Sequence, residues 1–246
     1  GAAIDMMAVI FPFEVAYYEA EKVPVRYVGH PSVDKVHPEH SKEEDFKVFG
    51  LGKAKPIIGI LPGSRRNEIE RMLPVMLAAA HKLQNSFPDA HFLLPQADSI
   101  PDALLDEHLR HVRLMITVIK HKPYDAIQCC DAIMTTSGTA SLEIALLGVP
   151  MVIAYKLSPL TYWVGRWLVK TPYIGLPNIM LGRLAVKELI QHEASAENLA
   201  AEISNILKDK SYSEKIRQDL LQVKQQLGEG GGSKNMALLA LEMLKA

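Results

Sequence analysis

Short apolar runs alternate with longer amphipathic stretches along the chain from Gly50 onward. The apolar runs are five or six residues long, as expected of strands that are covered on both faces. Between them, apolar residues return at three- and four-residue spacing, which indicates helices packed on one side. We predict strands at Ile57 to Leu61, His91 to Pro95, Leu114 to Ile119, Ala132 to Thr136 and Pro150 to Tyr155. We predict helices at Glu68 to Ser86, Ile100 to Arg110, Pro123 to Cys130 and Thr139 to Leu147.

This alternation predicts an α/β fold with a doubly wound parallel sheet. The pattern changes at Ser195, after which it is helical throughout. The additional C-terminal helices are predicted at Ser195 to Lys208, Tyr212 to Leu227 and Lys234 to Lys245. The sheet domain is therefore expected to cover residues 36–194, and the C-terminal helices residues 195–246.

The chain before Gly50 has a different character. The segment His37 to Lys47 is polar, charged and contains proline, so we predict a linker there. The strand-like stretch Ala8 to Phe11 would then belong to a neighbouring domain, and residues 1–35 would be its remnant together with a connector. Because the chain opens without methionine and runs at once into this stretch, we expect it either to be part of a longer protein or to carry a tag.

Composition narrows the function classes. Hydrophobic residues make up 48% and charged residues 22% of the chain, which is typical of a folded soluble or peripheral protein. The formal net charge of −1 gives no general attraction to nucleic acid or to an anionic membrane, so any anion site must be local. The two cysteines, Cys129 and Cys130, are adjacent and lack CxxC spacing, which favours a reducing cytoplasm.

Two loops at the ends of predicted strands have the chemistry of an anion site, and ligands of open parallel sheets bind at such ends. Residues 61–68, LPGSRRNE, follow the first predicted strand. The glycine of this loop permits close backbone approach, Ser64 supplies a hydroxyl, and Arg65 or Arg66 supplies a guanidinium suited to phosphate.

The second loop is the junction of the strand at residues 132–136 with the next helix. Ser137, Gly138 and Thr139 lead that helix, whose first N–H groups and dipole favour an anion. Glu143 follows one turn later on the same face, where a carboxylate suits a neutral ribose rather than a phosphate. Neither GxGxxG nor the P-loop pattern occurs, which disfavours NAD and ATP. The pattern indicates a nucleoside diphosphate, although serine and threonine are also ordinary N-caps.

Five motifs in the same order resemble the lipid-A-disaccharide synthase family. They are FPFE at 11–14, VGHPSVD at 28–34, LPGSRRNEIE at 61–70, SGTASLEIALLGVPMVIAYK at 137–156 and LVKTPYIGLPNIMLGR at 168–183. The resemblance implies an inverting, metal-independent glycosyltransferase of GT-B architecture that needs no cofactor. It implies transfer of a diacylglucosamine from UDP-2,3-diacylglucosamine to diacylglucosamine 1-phosphate, at the cytoplasmic face of the inner membrane. The chain would be the donor-binding part, with the amino-terminal Rossmann-like domain largely absent.

The resemblance also implies roles for particular residues. Arg65, with Ser64 beside it, and the turn Ser137, Gly138, Thr139 would contact the UDP phosphates, and Glu143 would lie near the ribose. Asn178 in LPN, Tyr155 with Lys156, and more weakly Arg183, are further substrate-binding candidates; the alternative for Asn178 is a turn residue after Pro177. The catalytic residues stay unknown, because the resemblance places the acceptor site and the base in the amino-terminal domain. We therefore expect this chain alone to be inactive.

Three other features of the sequence have ordinary structural interpretations. The pairs His37 with His40 and His108 with His111 lack an organised carboxylate or cysteine set, so we predict no metal site. In the stretch 157–170, Trp163 and Trp167 share a helical face with other apolar residues, which fits a core helix, a dimer contact or an interfacial membrane anchor. The C-terminal helices are candidates for a homodimer contact.

Two other functions remain open at this point. Another GT-B enzyme, such as a UDP-N-acetylglucosamine 2-epimerase or a different UDP-sugar transferase, would share the diphosphate turn and its glutamate. An isolated nucleotide-sugar-binding module would bind UDP without turnover, even when the amino-terminal half is supplied.

Overall fold

The five apolar residues Ile57–Leu61 form the central strand of a parallel sheet, and all five are buried. The computed structural model describes residues 4–52, 55–157 and 172–245. Within them, the main sheet has six strands in the order β5-β4-β3-β6-β7-β8, and every neighbouring pair is parallel. Its strands are β3 (Ile57–Leu61), β4 (His91–Gln96), β5 (Ile116–Lys120), β6 (Ala132–Thr135), β7 (Met151–Tyr155) and β8 (Glu188–Ile190). A separate pair, β1 (Met7–Val9) and β2 (Val25–Tyr27), is also parallel.

Helices connect the strands and cover the sheet. They are α1 (Pro12–Ala20), α2 (Pro31–Lys35), α3 (Lys42–Val48), α4 (Arg66–Ser86), α5 (Asp102–Leu109), α6 (Pro123–Cys129), α7 (Thr139–Leu146), α8 (Leu176–Leu181), α9 (Ala196–Lys208), α10 (Lys210–Leu227) and α11 (Gly232–Lys245), with a short 3₁₀ helix at Gln191–Glu193. None of the helices in the described ranges is both long enough and apolar enough to cross a bilayer.

The chain order of the strands creates a switch point at the centre of the sheet. From β3 the chain moves outward through β4 to β5, and it then returns to the opposite side of β3 as β6. The connections after β3 and β6 therefore diverge and leave a crevice between their carboxyl ends. In such sheets that crevice is the usual ligand site.

The C-terminal helices α9 and α10 share one hydrophobic core with the sheet. Leu199 and Ile203 of α9 and Leu220 and Val223 of α10 are almost fully buried within that core. The last helix has other partners, since α11 lies against the small sheet region, where the amide nitrogen of Asn235 donates to the Val28 carbonyl at 2.9 Å. The end of the described chain is thus tied to its beginning.

The predicted linker at His37 to Lys47 was wrong in part, because residues 42–48 form α3. The Ser41 hydroxyl accepts from the Glu44 N–H while the Glu44 carboxylate accepts from the Ser41 N–H, which is a complete capping box. The strand β5 also departs from expectation, because it lies at the sheet edge and only Ile119 of its residues is buried. The α1, α2, α8 and β8 elements had not been predicted.

Candidate functional site

Both predicted anion loops open into the same cleft at the switch point of the sheet. The cleft has a volume of about 880 Å³ and lies beyond the carboxyl ends of β3 and β6. Ser64 and Arg65 line it on one side, and Ser137, Gly138 and Thr139 on the other. Two lysines and two histidines also line the cleft, namely Lys35, Lys122, His37 and His121. The structure therefore brings two loops that are distant in sequence to the same open space.

The loop after β3 does not leave its helix end free. The Glu68 carboxylate oxygen Oε2 accepts from the N–H groups of Ser64 and Arg65 at 2.9 and 3.2 Å, and so caps the amino end of α4. A methyl group on Gly63 would lie 2.4 Å from that same oxygen, so only glycine fits there. The α4 end thus already holds a negative charge of the chain itself. The Arg65 guanidinium lies 3.1 Å from Glu68 Oε1, and its side chain is 80% exposed towards solvent.

The junction before α7 is different. Gly138 is the N-cap residue, no side chain caps the helix, and the first turn carries no acidic residue. Ser141 N–H turns back to the Gly138 carbonyl at 3.2 Å. A helix start without a capping side chain presents its first N–H groups and the positive end of its dipole outward. Of the two loops, the one before α7 therefore has the electrostatics of an anion site.

Glu143 lies one turn into α7, where its carboxylate is half-buried at the cleft wall. Burial raises the pKa of Glu143, while the Tyr124 hydroxyl and the charge of Lys35 act in the opposite direction. The Tyr124 hydroxyl donates to Glu143 Oε1 at 3.3 Å, and burial beside this carboxylate raises the pKa of Tyr124 to about 12. Tyr124 was missed by the sequence reasoning, because it comes from α6 and meets Glu143 only in the folded chain.

The structure does not bring Asn178 to the cleft, which corrects that prediction. Asn178 is fully buried, its amide nitrogen donates to Val186 O and Glu188 Oε1, and its oxygen accepts from the N–H groups of Ala185 and Val186. These four hydrogen bonds use the whole capacity of the side chain. Asn178 therefore organises the chain between α8 and β8 rather than offering a group to a ligand.

The remaining candidates lie outside the residues that line the cleft. Tyr155, at the end of β7, has its pKa raised by burial and by the nearby Glu68 carboxylate. Lys156 follows it and is half-buried. Arg183 donates to Asp219 at 2.7 Å and to Gln222 at 2.9 Å, both on α10. The guanidinium of Arg183 thus connects the chain after α8 to a C-terminal helix.

A cluster of charged groups lies beside the cleft, around His40. The ring nitrogen Nδ1 of His40 is 3.6 Å from Asp45 Oδ1 and 3.5 Å from Asp125 Oδ1. The same Asp125 oxygen accepts from the backbone N–H groups of Glu39 and His40 at 2.9 and 3.1 Å. Because both lone pairs of this oxygen are used by the main chain, we interpret Asp125 as a hydrogen-bonded anchor for the connector and not as part of a metal site. Trp163 and Trp167, for which a core helix, a dimer contact or a membrane anchor was predicted, lie outside the described residues.

Sequence comparison with known proteins shows which family the chain belongs to. The family model of lipid-A-disaccharide synthetase matches residues 1–243. The chain belongs to the lipid-A-disaccharide synthetase family. It is 49% identical to the lipid-A-disaccharide synthase of Geobacter sulfurreducens over 99% of its own length, and 41% identical to that of Nitrosococcus oceani over 100%. These matches cover 64% and 63% of the two relatives, so the chain spans slightly less than two thirds of their length.

Solved structures confirm the fold class of this family member. The S. aureus MnaA–UDP co-structure aligns with a TM-score of 0.66 at 13% identity, covering 99% of this chain and 61% of that one. The UDP-GlcNAc 2-epimerase of Neisseria meningitidis, bound to UDP-GlcNAc, aligns with a TM-score of 0.62 at 16% identity, covering 91% of this chain and 58% of that one. At such identities the similarity concerns the fold alone, which is the predicted Rossmann-like α/β arrangement of GT-B proteins.

Proposed function

We propose that the cleft binds the UDP group of UDP-2,3-diacylglucosamine, and that the chain is the donor-binding part of a lipid-A-disaccharide synthase. The enzyme would be an inverting glycosyltransferase that transfers the diacylglucosamine to diacylglucosamine 1-phosphate. Family membership supports this proposal, and so does the chemistry of the cleft. The observation that carries it is the uncapped amino end of α7, which faces Arg65 across an open space at the switch point of the sheet.

The cleft offers a consistent place for each part of the ligand. The diphosphate would lie at the Ser137–Thr139 turn, where backbone N–H groups and the α7 dipole attract negative charge. Arg65 is exposed and can turn its guanidinium to the same oxygens. Glu143 would accept the ribose hydroxyls, since it lies a turn away from the phosphate end. When the glycosidic bond breaks, negative charge grows on the departing diphosphate, and the same helix end stabilises it without reorganisation.

An inverting transfer also needs a base for the acceptor hydroxyl. Three carboxylates at the cleft already have partners: Glu68 caps α4, Asp125 accepts two backbone N–H groups, and Asp98 is 3.0 Å from His121. As the family resemblance implies, we propose that the base and the acceptor site come from the amino-terminal part of the enzyme, and that this chain alone binds UDP without turnover. Contact with the inner-membrane surface and homodimerisation belong to the same proposal.

Calorimetry with UDP, followed by a transfer assay, tests the proposed function. We expect the chain to bind UDP, and we expect disaccharide to form only after the amino-terminal part of the enzyme is added. No detectable binding of UDP would contradict the nucleotide site. Binding with no product after addition of that part would favour the isolated binding module, and epimerised UDP-sugar would favour the epimerase.

The pairing of Tyr124 with Glu143 predicts a pH dependence of ribose recognition. An ionised Glu143 accepts both ribose hydroxyls, so the affinity ratio of UDP over 2′-deoxy-UDP should fall as the pH drops through the raised pKa of this carboxyl. Because the Tyr124 hydrogen bond lowers that pKa, Tyr124→Phe should move the midpoint to higher pH. Isothermal titration from pH 5 to 8 measures the ratio, and titration of the phosphates cancels between the two ligands.

Tyr155→Phe is the matched control for this experiment. Tyr155 interacts with Glu68 instead of Glu143, so the change removes one hydroxyl from the neighbourhood of the cleft without touching the proposed ribose contact. The midpoint should stay in place. An equal shift in both variants would show that the midpoint does not report on Glu143.

A further inference from the structure

Three hydrogen-bond donors converge on the carboxylate of Glu188, the first residue of β8. The backbone N–H of Ile174 donates to Oε2 at 2.9 Å, that of Gly175 donates to Oε1 at 2.9 Å, and the Asn178 amide donates to Oε1 at 2.7 Å. Hydrogen bonds to a charged acceptor are about twice as strong as neutral ones. The carboxylate therefore holds the chain before α8 against the edge of the sheet.

The position of that segment is also fixed by packing. A methyl group on Gly175 would lie 2.3 Å from the Ile153 side chain in β7 and 3.0 Å from Glu188 Oε1. No side chain fits at residue 175 while the backbone stays where it is. Glu188 and Ile153 thus leave room only for glycine at residue 175. Contacts with β7 and β8 therefore fix the position of the Ile174 and Gly175 backbone.

The same segment also contacts the turn of the proposed diphosphate site. The Ser137 hydroxyl donates its proton to the Ile174 carbonyl at 2.7 Å. A serine hydroxyl has one proton, so Ser137 has no side-chain donor left for a phosphate. Its backbone belongs to the turn whose N–H groups face the cleft. A continuous path of hydrogen bonds therefore runs from Glu188 through Ile174 to Ser137.

We propose that Glu188 is a positioning residue for the Ser137–Thr139 turn, and that it fixes the turn in the arrangement that receives a diphosphate. The proposal rests on the proposed function of that turn. It assigns Glu188 an effect on phosphate binding although the carboxylate lies outside the cleft lining. It also gives the LPN motif a purpose, because Asn178 is one of the three donors that hold Glu188 in place.

Glu188→Gln tests the proposal, since it keeps the size of the side chain but sets an amide among groups that all donate. The readout is the ratio of the affinities for UDP and for uridine, measured by calorimetry. We expect the ratio to fall roughly tenfold, as for one hydrogen bond to a charged group, while the affinity for uridine stays unchanged. Ser137→Ala cuts the same path at its other end, so it should give a similar loss.

The double variant Glu188→Gln with Ser137→Ala should lose no more than either single variant, because residues that act through one path are not additive. Glu197→Gln is the control, since Glu197 is an exposed carboxylate that pairs with Lys82; it should leave the ratio unchanged. Thermal unfolding shows whether each variant is folded. Should Glu188→Gln fail to fold, the folded Ser137→Ala variant still decides the question.

An unchanged ratio in Ser137→Ala, or fully additive losses in the double variant, would overturn the positioning role. So would a parallel loss of affinity for uridine, which would indicate general damage to the cleft. Failure of the proposed function looks different: the unchanged chain would then bind UDP no more tightly than uridine.

Discussion

Gly138→Ala is expected to weaken UDP binding on the order of 10- to 100-fold, the range for losing a hydrogen bond to a charged group. Gly138 has φ of 154° and ψ of −166°, a region that is essentially restricted to glycine and costs other residues about 1–3 kcal/mol. No atom lies within 4 Å of the added methyl group, so the effect comes from the backbone and not from a clash. The turn would relax and redirect the N–H groups of the α7 start. Calorimetry with UDP measures the loss.

Gly148→Ala provides the matched control at the other end of α7. Gly148 also has a positive φ, of 68°, and open space around the added methyl group. Both variants should lower the melting temperature, by roughly 2 to 4 °C for each kcal/mol of strain. Only Gly138→Ala should change the affinity for UDP. Equal affinities of the two variants would argue against a phosphate at the turn.

Arg65→Ala should also weaken UDP binding on the order of 10- to 100-fold, since a guanidinium contact with phosphate is worth about 1.5–3 kcal/mol. In the chain without ligand, Arg65 pairs with Glu68 at an exposed position, and such surface pairs contribute little to stability. The melting temperature should therefore hardly move. Arg65→Lys should recover part of the affinity, because lysine keeps the charge but loses the bidentate geometry.

Arg66→Ala is the natural comparison for the arginine experiment. The two residues are neighbours, but Arg66 pairs with Glu70 and does not line the cleft. The loop pattern alone left open which of the two arginines would meet the phosphates, the family resemblance pointed to Arg65, and of the two only Arg65 lines the cleft. A larger loss of affinity in Arg66→Ala than in Arg65→Ala would reverse that choice.

The local pattern was enough to predict the central strands and the helices between them. β3 was predicted with its observed bounds, and α7 was predicted to start at Thr139, as observed. Both have strong local signals, namely a continuous apolar run and a glycine before an apolar helix. The α3 helix also had a local signal, since Ser41 and Glu44 have the spacing of a capping box. It was overlooked because the surrounding charges and proline suggested a linker.

The interactions between distant parts of the chain could not be predicted in the same way. The Tyr124 hydroxyl meets Glu143 across 19 residues, and Ser137 meets the Ile174 carbonyl across 37. The sequence around each of these residues gives no signal of which distant residue it contacts. The strand β8 has three residues and begins with a glutamate, so it is too short to show a strand pattern in the sequence. Asn178 was named as a ligand candidate because its LPN motif is recognisable in the sequence. Its four hydrogen bonds to other parts of the chain form only in the folded protein.

The carboxylate of Glu68 has one more consequence. The amino ends of α4 and α7 both lie at the cleft, and the Glu68 carboxylate already accepts two N–H groups at the α4 end. In the proposed complex, the diphosphate is therefore expected at the amino end of α7 and not at that of α4. Glu68, which makes no contact with the donor in the proposed complex, would thus determine where the diphosphate lies along the cleft.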